Sequence, residues 1–403
     1  MDGARTRGQA AALGAVATMV RGPAPQAVLL VGPEGSGKTT LAMDLAAGLL
    51  CTAGLEDRPC RVCRACRLIE HGNHPDLHRL GPVGPGRQVV IGGPDAKYQG
   101  VRDLVGELQL TPLEGGARVA IIEAADRMNE DAQSALLKTL EEPPAGVTIV
   151  LCADQEDRLL PTVRSRCFRV RLGLVGARDI EAILEDHGLV DPPTAARLGR
   201  LAGGRPGLAL AYARASAAIL IRAELTRVLL DLTDARPSAR LAAARSSVPR
   251  AIALSAALAM ADPSAPARPV RRRAGAAIAA VAAVAVLPEV AAIDDDPDAA
   301  VDDGVAPAKT PAAERRRAVE LLLGLWAEVA RDLALVGAGG ARSVRDTVLL
   351  EELTAIAATI APGSAATFLA RTARAAELLA GNVSPELVLD SLVLAWPRRA
   401  AAA

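Results

Sequence analysis

Two groups of residues carry chemistry. Residues 31–40 read VGPEGSGKTT, in which Gly32, Gly37, Lys38 and Thr39 fit G-x-x-x-x-G-K-[ST], with Pro33, Glu34, Gly35 and Ser36 between them and Thr40 directly after. Glycines in such a loop let backbone N–H groups converge on phosphates, and the following helix turns its positive dipole end toward them. Lys38 is expected to reach the β- and γ-phosphates and the Thr39 hydroxyl to ligate Mg²⁺, so the expected cofactor is ATP with Mg²⁺. The second group is CTAGLEDRPCRVCRAC, which places Cys51, Cys60, Cys63 and Cys66 at C-x8-C-x2-C-x2-C spacing. Two-residue gaps let neighbouring thiolates face one ion, and four thiolates close the tetrahedral shell of a structural Zn²⁺. With no open position on the metal, no catalysis is expected there. His71, His74 and His78 follow closely but are surplus to that shell, and are read as surface or helix-packing residues. Cys152 and Cys167 stand alone and are expected to be buried.

A third position is informative for what it lacks. The apolar run VAII ends in Glu123, where an acidic side chain can sit near nucleotide-bound Mg²⁺. A hydrolysing ATPase commonly carries a further carboxylate at the next position to orient or deprotonate water. Here that residue is Ala124, which can do neither; Asp126, two residues on, could substitute only through a shift of register.

The elements that must position these residues fall into two regimes. Residues 1–175 alternate short apolar runs with helical patterns: AVLLV (27–31), RQVVI (87–91), RVAII (118–122), VTIVLCA (147–153) and CFRVRL (167–172) read as strands, and 39–50 as a helix. Continuous apolar runs separated by helices predict a parallel sheet covered on both faces. From residue 176 the strand signals fade. ARDIEAILEDHGL and PPTAARLGRLAGG read as short helices, and helical patterns continue at 217–232, 313–336, 344–361 and 366–380. Residues 262–312 are rich in Pro, Ala and Asp and read as a linker or flexible insertion around an Ala-rich segment.

Bulk properties add limits. The 403 residues are enough for two or three domains. A formal net charge of +0 gives no general pull toward nucleic acid, and two Trp, two Tyr and two Phe leave few platforms for stacking bases. The N-terminus lacks the continuous apolar core and cleavage site of a secretory signal, so the expected compartment is the cytoplasm. The Ala-rich stretch 274–293 is interrupted by Pro288 and Glu289 before reaching the length of a membrane span, so no membrane partner is expected. In that compartment the cysteines argue for metal or free thiols over disulfides.

Several longer strings agree with one another. NEDAQSALLKTLEEPPAGVTIVLCAD (129–154) and LLPTVRSRCFRVRL (159–172) closely resemble the AAA+ subunits of bacterial replicative clamp loaders, the gamma/tau and delta-prime family of DNA polymerase III. The resemblance takes in GQ at 8–9, the phosphate loop, the four-cysteine module, HPDLHRL (74–80), VRDL (101–104) and GGRPGLAL (203–210), and so covers roughly the first 215 residues. It implies an α/β AAA+ P-loop domain over 1–175 with the zinc module inserted at about 51–66, a small helical lid domain over 176–215, and an all-α collar domain over 216–403 carrying the insertion at 262–312. Gamma/tau subunits of the family hydrolyse ATP and carry an Asp-Glu pair on the acidic strand, whereas delta-prime subunits have degenerate versions such as the EAAD found here; the difference favours delta-prime. On that reading Arg166, in Ser165-Arg166-Cys167, is implied to reach the ATP site of a neighbouring gamma/tau subunit as an arginine finger, the chain's only catalytic contribution. Arg205, in GGRPG, is an implied second nucleotide contact from the lid.

The implied partners are gamma/tau and delta subunits, the sliding clamp, and primed DNA through backbone contacts near Arg127 and Lys138. No polymerase site is expected, since no carboxylates are placed for two-metal nucleotidyl transfer. Two other readings remain: a gamma-type motor ATPase, opposed by Ala124, and a zinc-stabilised AAA+ adaptor outside replication, opposed by SALLKTLEEPP and RSRC.

Overall fold

The computed structural model describes residues 1, 3–83, 88–93, 96–114, 116–261, 311–381 and 383–399. Its first half is a five-stranded sheet of β1 (Ala27–Val31), β2 (Leu77–Leu80), β3 (Arg118–Ile122), β4 (Val147–Ala153) and β5 (Phe168–Arg171) in the order β2-β3-β4-β1-β5. All four pairings are parallel, with Leu29 opposite Leu151 and Arg169, Ile121 opposite Val150, and His78 opposite Ala120. β1, β3 and β4 are buried along their whole length, which explains why their sequences are unbroken apolar runs rather than alternating ones.

Alternate residues of these strands feed two layers. Val28, Leu30, Val119, Ile121, Val150 and Cys152 pack against α1 (Ala10–Arg21), α2 (Lys38–Leu50) and Ile69 of α3 (Arg64–Glu70). Leu29, Ala120, Ile122, Ile149 and Leu151 pack against α4 (Val101–Leu108), α5 (Glu130–Glu141) and Val163 of α6 (Pro161–Arg164). Asn129 begins α5 by accepting the Ala132 N–H on its side chain, a standard N-cap.

The chain then becomes helical: α7 (Ala177–Asp186), α8 (Pro192–Leu201), α9 (Pro206–Arg214), α10 (Ser216–Asp231), α11 (Pro237–Ala261), α12 (Ala312–Gly337), α13 (Leu350–Ala357), α14 (Ser364–Ala380) and α15 (Pro385–Leu394). One core runs through these helices, from Ile180 and Leu198 to Leu322, Trp326, Phe368 and Trp396. Phe368 and Trp396 meet edge to face at 4.8 Å. Arg240 is fully buried nearby, its guanidinium donating to the carbonyls of Thr233, Ala235, Trp396 and Pro397, so it fastens the C-terminal turn to the α10–α11 connection.

Some expectations shift. The strand expected at 87–91 does not form: among the described residues there, only Val89 makes an isolated bridge, to Met128. The outer strand is instead LHRL at 77–80, buried only at its two leucine ends, with His78 and Arg79 between them breaking the apolar run. His78 lies on that strand with its ring Nδ1 2.7 Å from a Glu107 carboxylate oxygen, and His74 is buried in the preceding turn, where its ring Nδ1 accepts the Asp76 N–H. Burial holds the His74 imidazole below its ordinary pKa. Cys152 is buried as expected, but Cys167 is only half-buried. The helix expected at 344–361 is confined to α13. The stretch 262–310, with the Ala-rich segment and nearly all of the expected insertion, lies outside the described residues. No helix among the described residues is long and apolar enough to cross a membrane.

Candidate functional site

The phosphate loop leaves β1 at its carboxyl end, where ligands gather in open α/β sheets. Gly32 sits so close to β5 that a Cβ there would stand 2.6 Å from the Leu172 carbonyl oxygen. Gly37, with φ of 96°, is left-handed and directly precedes α2, so the chain can turn sharply into the helix. Gln9 braces the loop from outside. Its side-chain amide bonds both the carbonyl and the N–H of Gly173 (2.7 and 3.2 Å) and reaches the Ser36 carbonyl at 3.4 Å. Ser36 Oγ is buried without a hydrogen-bond partner. An orphaned hydroxyl beside a left-handed glycine and a helix N-terminus fits an anionic group.

Lys38 is almost wholly buried, and its ammonium is held at 2.7 Å from Gly32 O, 2.8 Å from Pro33 O and 2.6 Å from Asp154 Oδ1. Asp154 directly follows β4, as Glu123 directly follows β3. Glu123 is engaged by the Arg79 guanidinium, with Nε 3.0 Å away. Ala124 is one of two non-glycine residues with positive φ among the described residues, at 51°. Its methyl supplies no proton acceptor. Asp126 lies just beyond in a short 3-10 turn, buried, with an oxygen accepting the Asp154 N–H at 3.3 Å. Burial, with the Asp154 charge added, pushes the Asp126 carboxyl above its ordinary pKa.

The α9 N-terminus touches the other side of the loop, where the Gly207 N–H donates to Gly35 O at 3.0 Å. Arg205 stands there by its backbone and Cβ, but its guanidinium donates to Ala202 O and to Glu328 on α12, which also takes Arg222. Arg166 follows α6 on the surface and bonds Thr162 O and the Glu141 carboxylate, none of them phosphate-loop residues. Lys138 and Arg127 are on or next to α5.

The four cysteines converge at the far end of α2. Cys51 is the C-cap of α2 and Cys63 the N-cap of α3, and one sulfur from each of the four residues lies within 4.8 Å of the other three. The Cys51 sulfur is 3.6 Å from that of Cys60 and 3.9 Å from that of Cys63. Four sulfurs at about 2.3 Å from a tetrahedral Zn²⁺ would be separated by about 3.8 Å, so the donor set fits that ion. Backbone N–H groups of Ala53, Cys63 and Cys66 point at Cys51, Cys60 and Cys63, respectively. Within the cluster burial pushes the Cys51 and Cys66 thiols up, whereas at Cys63 hydrogen bonds from Cys66 and Thr52 outweigh burial and bring the thiol down to about 6.

Between these ends, Asp44 in mid-α2 accepts the N–H groups of Arg5 and Thr6 and the Thr6 hydroxyl, and pairs with Arg61 from the cysteine module. Asp44, Arg79 and Asp154 were not among the residues singled out from sequence. For Asp154 the signal was present, an acid closing an apolar strand just as Glu123 does.

Comparison with known proteins agrees with the resemblance. Residues 14–175 match the family model described as DNA polymerase III, delta subunit. The chain is 40% identical over 184 residues to DNA polymerase III subunit delta' of Pseudomonas aeruginosa, covering 45% of this chain and 53% of that one. It is 34% identical over 196 residues to subunit delta' of Escherichia coli, covering 49% and 57%. Subunit tau of Escherichia coli is 34% identical over 176 residues, covering 43% and 26%. The chain thus spans about half the length of the delta' relatives, and less of tau. A crystal structure of a gamma subunit-related protein of DNA polymerase III from Thermotoga maritima aligns over 94% of this chain and 97% of its own, at 15% identity and a TM-score of 0.35.

Proposed function

We propose that this protein is a clamp-loader subunit of delta-prime type, which holds ATP in its own loop with little or no turnover and lends Arg166 to the site of a neighbouring gamma/tau subunit. The observation that carries the reading is an intact phosphate loop beside Ala124, within a segment similar to delta' subunits. Gly32 to Thr40 would hold the nucleotide, with backbone N–H groups and Lys38 on its phosphates and Thr39 toward Mg²⁺. Bound Mg²⁺ would supply charge neutralisation at the phosphates. Glu123 directly follows β3, and Asp126, two residues beyond Ala124, is the carboxyl that would have to stand in for the missing one. Helices α7–α9 act as the lid, with Arg205 as a second nucleotide contact, and α10–α15 as the collar through which subunits associate. The four cysteines hold a structural Zn²⁺. The complex, with gamma/tau and delta subunits, works in the cytoplasm, opens the sliding clamp and sets it on primed DNA through backbone contacts.

Arg166 suits a finger because its charge is permanent and its planar fork can follow charge developing on γ-phosphate oxygens. Its present partner, Glu141, is a surface one, and such pairs are worth only about 0–1 kcal/mol, so exchange for a phosphate is inexpensive.

The test is nucleotide binding and steady-state hydrolysis by the purified chain, with Lys38→Ala as control, followed by reconstitution with gamma/tau and delta subunits. The expected result is Lys38-dependent binding without turnover, and a loss of about 10³-fold in the assembled complex's ATPase on Arg166→Ala. Lys38-dependent turnover by the isolated chain, abolished by Asp126→Asn, would transfer the reading to a gamma-type motor. Failure to assemble with those subunits would leave a zinc-stabilised adaptor.

A further inference from the structure

We infer that Asp154 is an internal counter-anion for the phosphate loop, competing with nucleotide for Lys38 and setting how weakly the loop holds it; the inference rests on the nucleotide-holding reading above. An ammonium has three donors. In this structure Gly32 O, Pro33 O and Asp154 Oδ1 take up all three at 2.6–2.8 Å, and only the last of these partners carries a charge. An incoming phosphate must therefore displace one of them, and it meets a carboxylate already neutralising the cation it needs.

The position of Asp154 is fixed by the sheet. Gly32 N–H donates to Ala153 O, which brings the residue after β4 alongside the first residue of the loop. The Asp154 backbone N–H is in turn turned toward Asp126, so a second carboxyl backs the first. Asp154 remains about a quarter exposed at the mouth of the site while Lys38 is buried, which puts the negative charge on the approach side. Displaced from Lys38, Asp154 would stay close to the phosphates as a like charge. The arrangement gives a loop that is complete in its motif and lowered in affinity, suited to a subunit whose nucleotide is not turned over.

The test is equilibrium titration of the full chain with ADP and with ATP, each with and without Mg²⁺, for the unchanged protein, Asp154→Asn and Asp154→Ser, with Lys38→Ala as the binding control and thermal melting to verify folding. Asparagine keeps the size and the acceptor but removes the charge. The expected result is at least about tenfold tighter binding of both nucleotides in both Asp154 variants, equivalent to about 1.4 kcal/mol. Affinity unchanged in both variants would overturn the inference and leave the nucleotide-holding reading standing. Weaker binding confined to the Mg²⁺-loaded nucleotides would also overturn it, since Asp154 would then be supporting the cation. Absence of binding by every protein, the Asp154 variants included, would sink the nucleotide-holding reading and the inference together.

Discussion

The two ends of α2 invite comparison because one helix of 13 residues joins two different candidate sites. At its N-terminus, Lys38 opens the helix within a loop shaped for phosphates; at its C-terminus, Cys51 caps it within a cluster of four thiols. At the N-terminus the polarity agrees with the helix dipole, whose positive end favours anions. The two ends differ in where their partners come from. The cysteine cluster draws its donors from 16 consecutive residues, 51–66. The loop has its charge answered by Asp154, more than a hundred residues later in the chain. A site assembled from neighbours can be recognised by spacing; a site tuned by a remote residue has a motif that overstates its strength.

Stripping metal from the cysteine end is the change expected to matter most. Removing Zn²⁺ with a chelator, or Cys63→Ser, should lower stability by on the order of 5 kcal/mol, a fraction of the roughly 10–16 kcal/mol that structural zinc supplies in small peptides. Metal content and thermal melting report it. If phosphate binding survived at low temperature, the two ends of the helix would be independent; if it vanished, the cysteine module would be part of the loop's support.

Asp44 sits between the ends and ties the cysteine module and N-terminal segment to the helix. Asp44→Ala strands Arg61 and the Arg5 and Thr6 N–H groups, and is expected to cost about 3–5 kcal/mol in chemical denaturation. A loss below about 1 kcal/mol would show that the cysteine module is anchored elsewhere.

At the phosphate end the constraint is steric. Gly32→Ala places a methyl against the Leu172 carbonyl and should destabilise by about 1–3 kcal/mol while weakening nucleotide binding. An unchanged melting temperature would mean the loop can move away from β5.

The smallest effect expected is a pH dependence near the same site. The Asp126 carboxyl is raised above its ordinary value by burial and by Asp154. A raised folded-state pKa means that Asp126's favourable contribution is fully present below the unfolded carboxylate value and is lost as pH rises through the folded one. Asp126→Asn should therefore be slightly more stable than the unchanged protein at neutral pH, by ~2 °C in melting temperature, with the difference shrinking as pH falls toward 4. A gap that widened on acidification would reverse the sign and show that the ionised carboxylate is favoured in the fold.

Much of the sheet was legible because β1, β3 and β4 are buried on both faces and so leave unbroken apolar runs. β2 was not, because an outer strand carrying His78 and Arg79 has side chains engaged by Glu107 and Glu123 rather than by a core. Pro249 lies inside α11, where proline removes a helical hydrogen bond, yet the 25-residue helix runs through it, held by the packing of its buried face.

The sequence by itself determined the local chemistry: the phosphate loop between strand and helix, the four thiols at metal-ligating spacing, and the missing acid at Ala124. These depend on residues adjacent in the chain, where peptide geometry alone sets the distances. Only the tertiary structure decided who answers each charge. It put Asp154 on Lys38, Arg79 on Glu123, Glu141 on Arg166 and Glu328 on Arg205. Such pairings follow from strand order and helix packing, which bring distant residues within a few ångströms, where electrostatic interaction is strong and composition gives no notice of it.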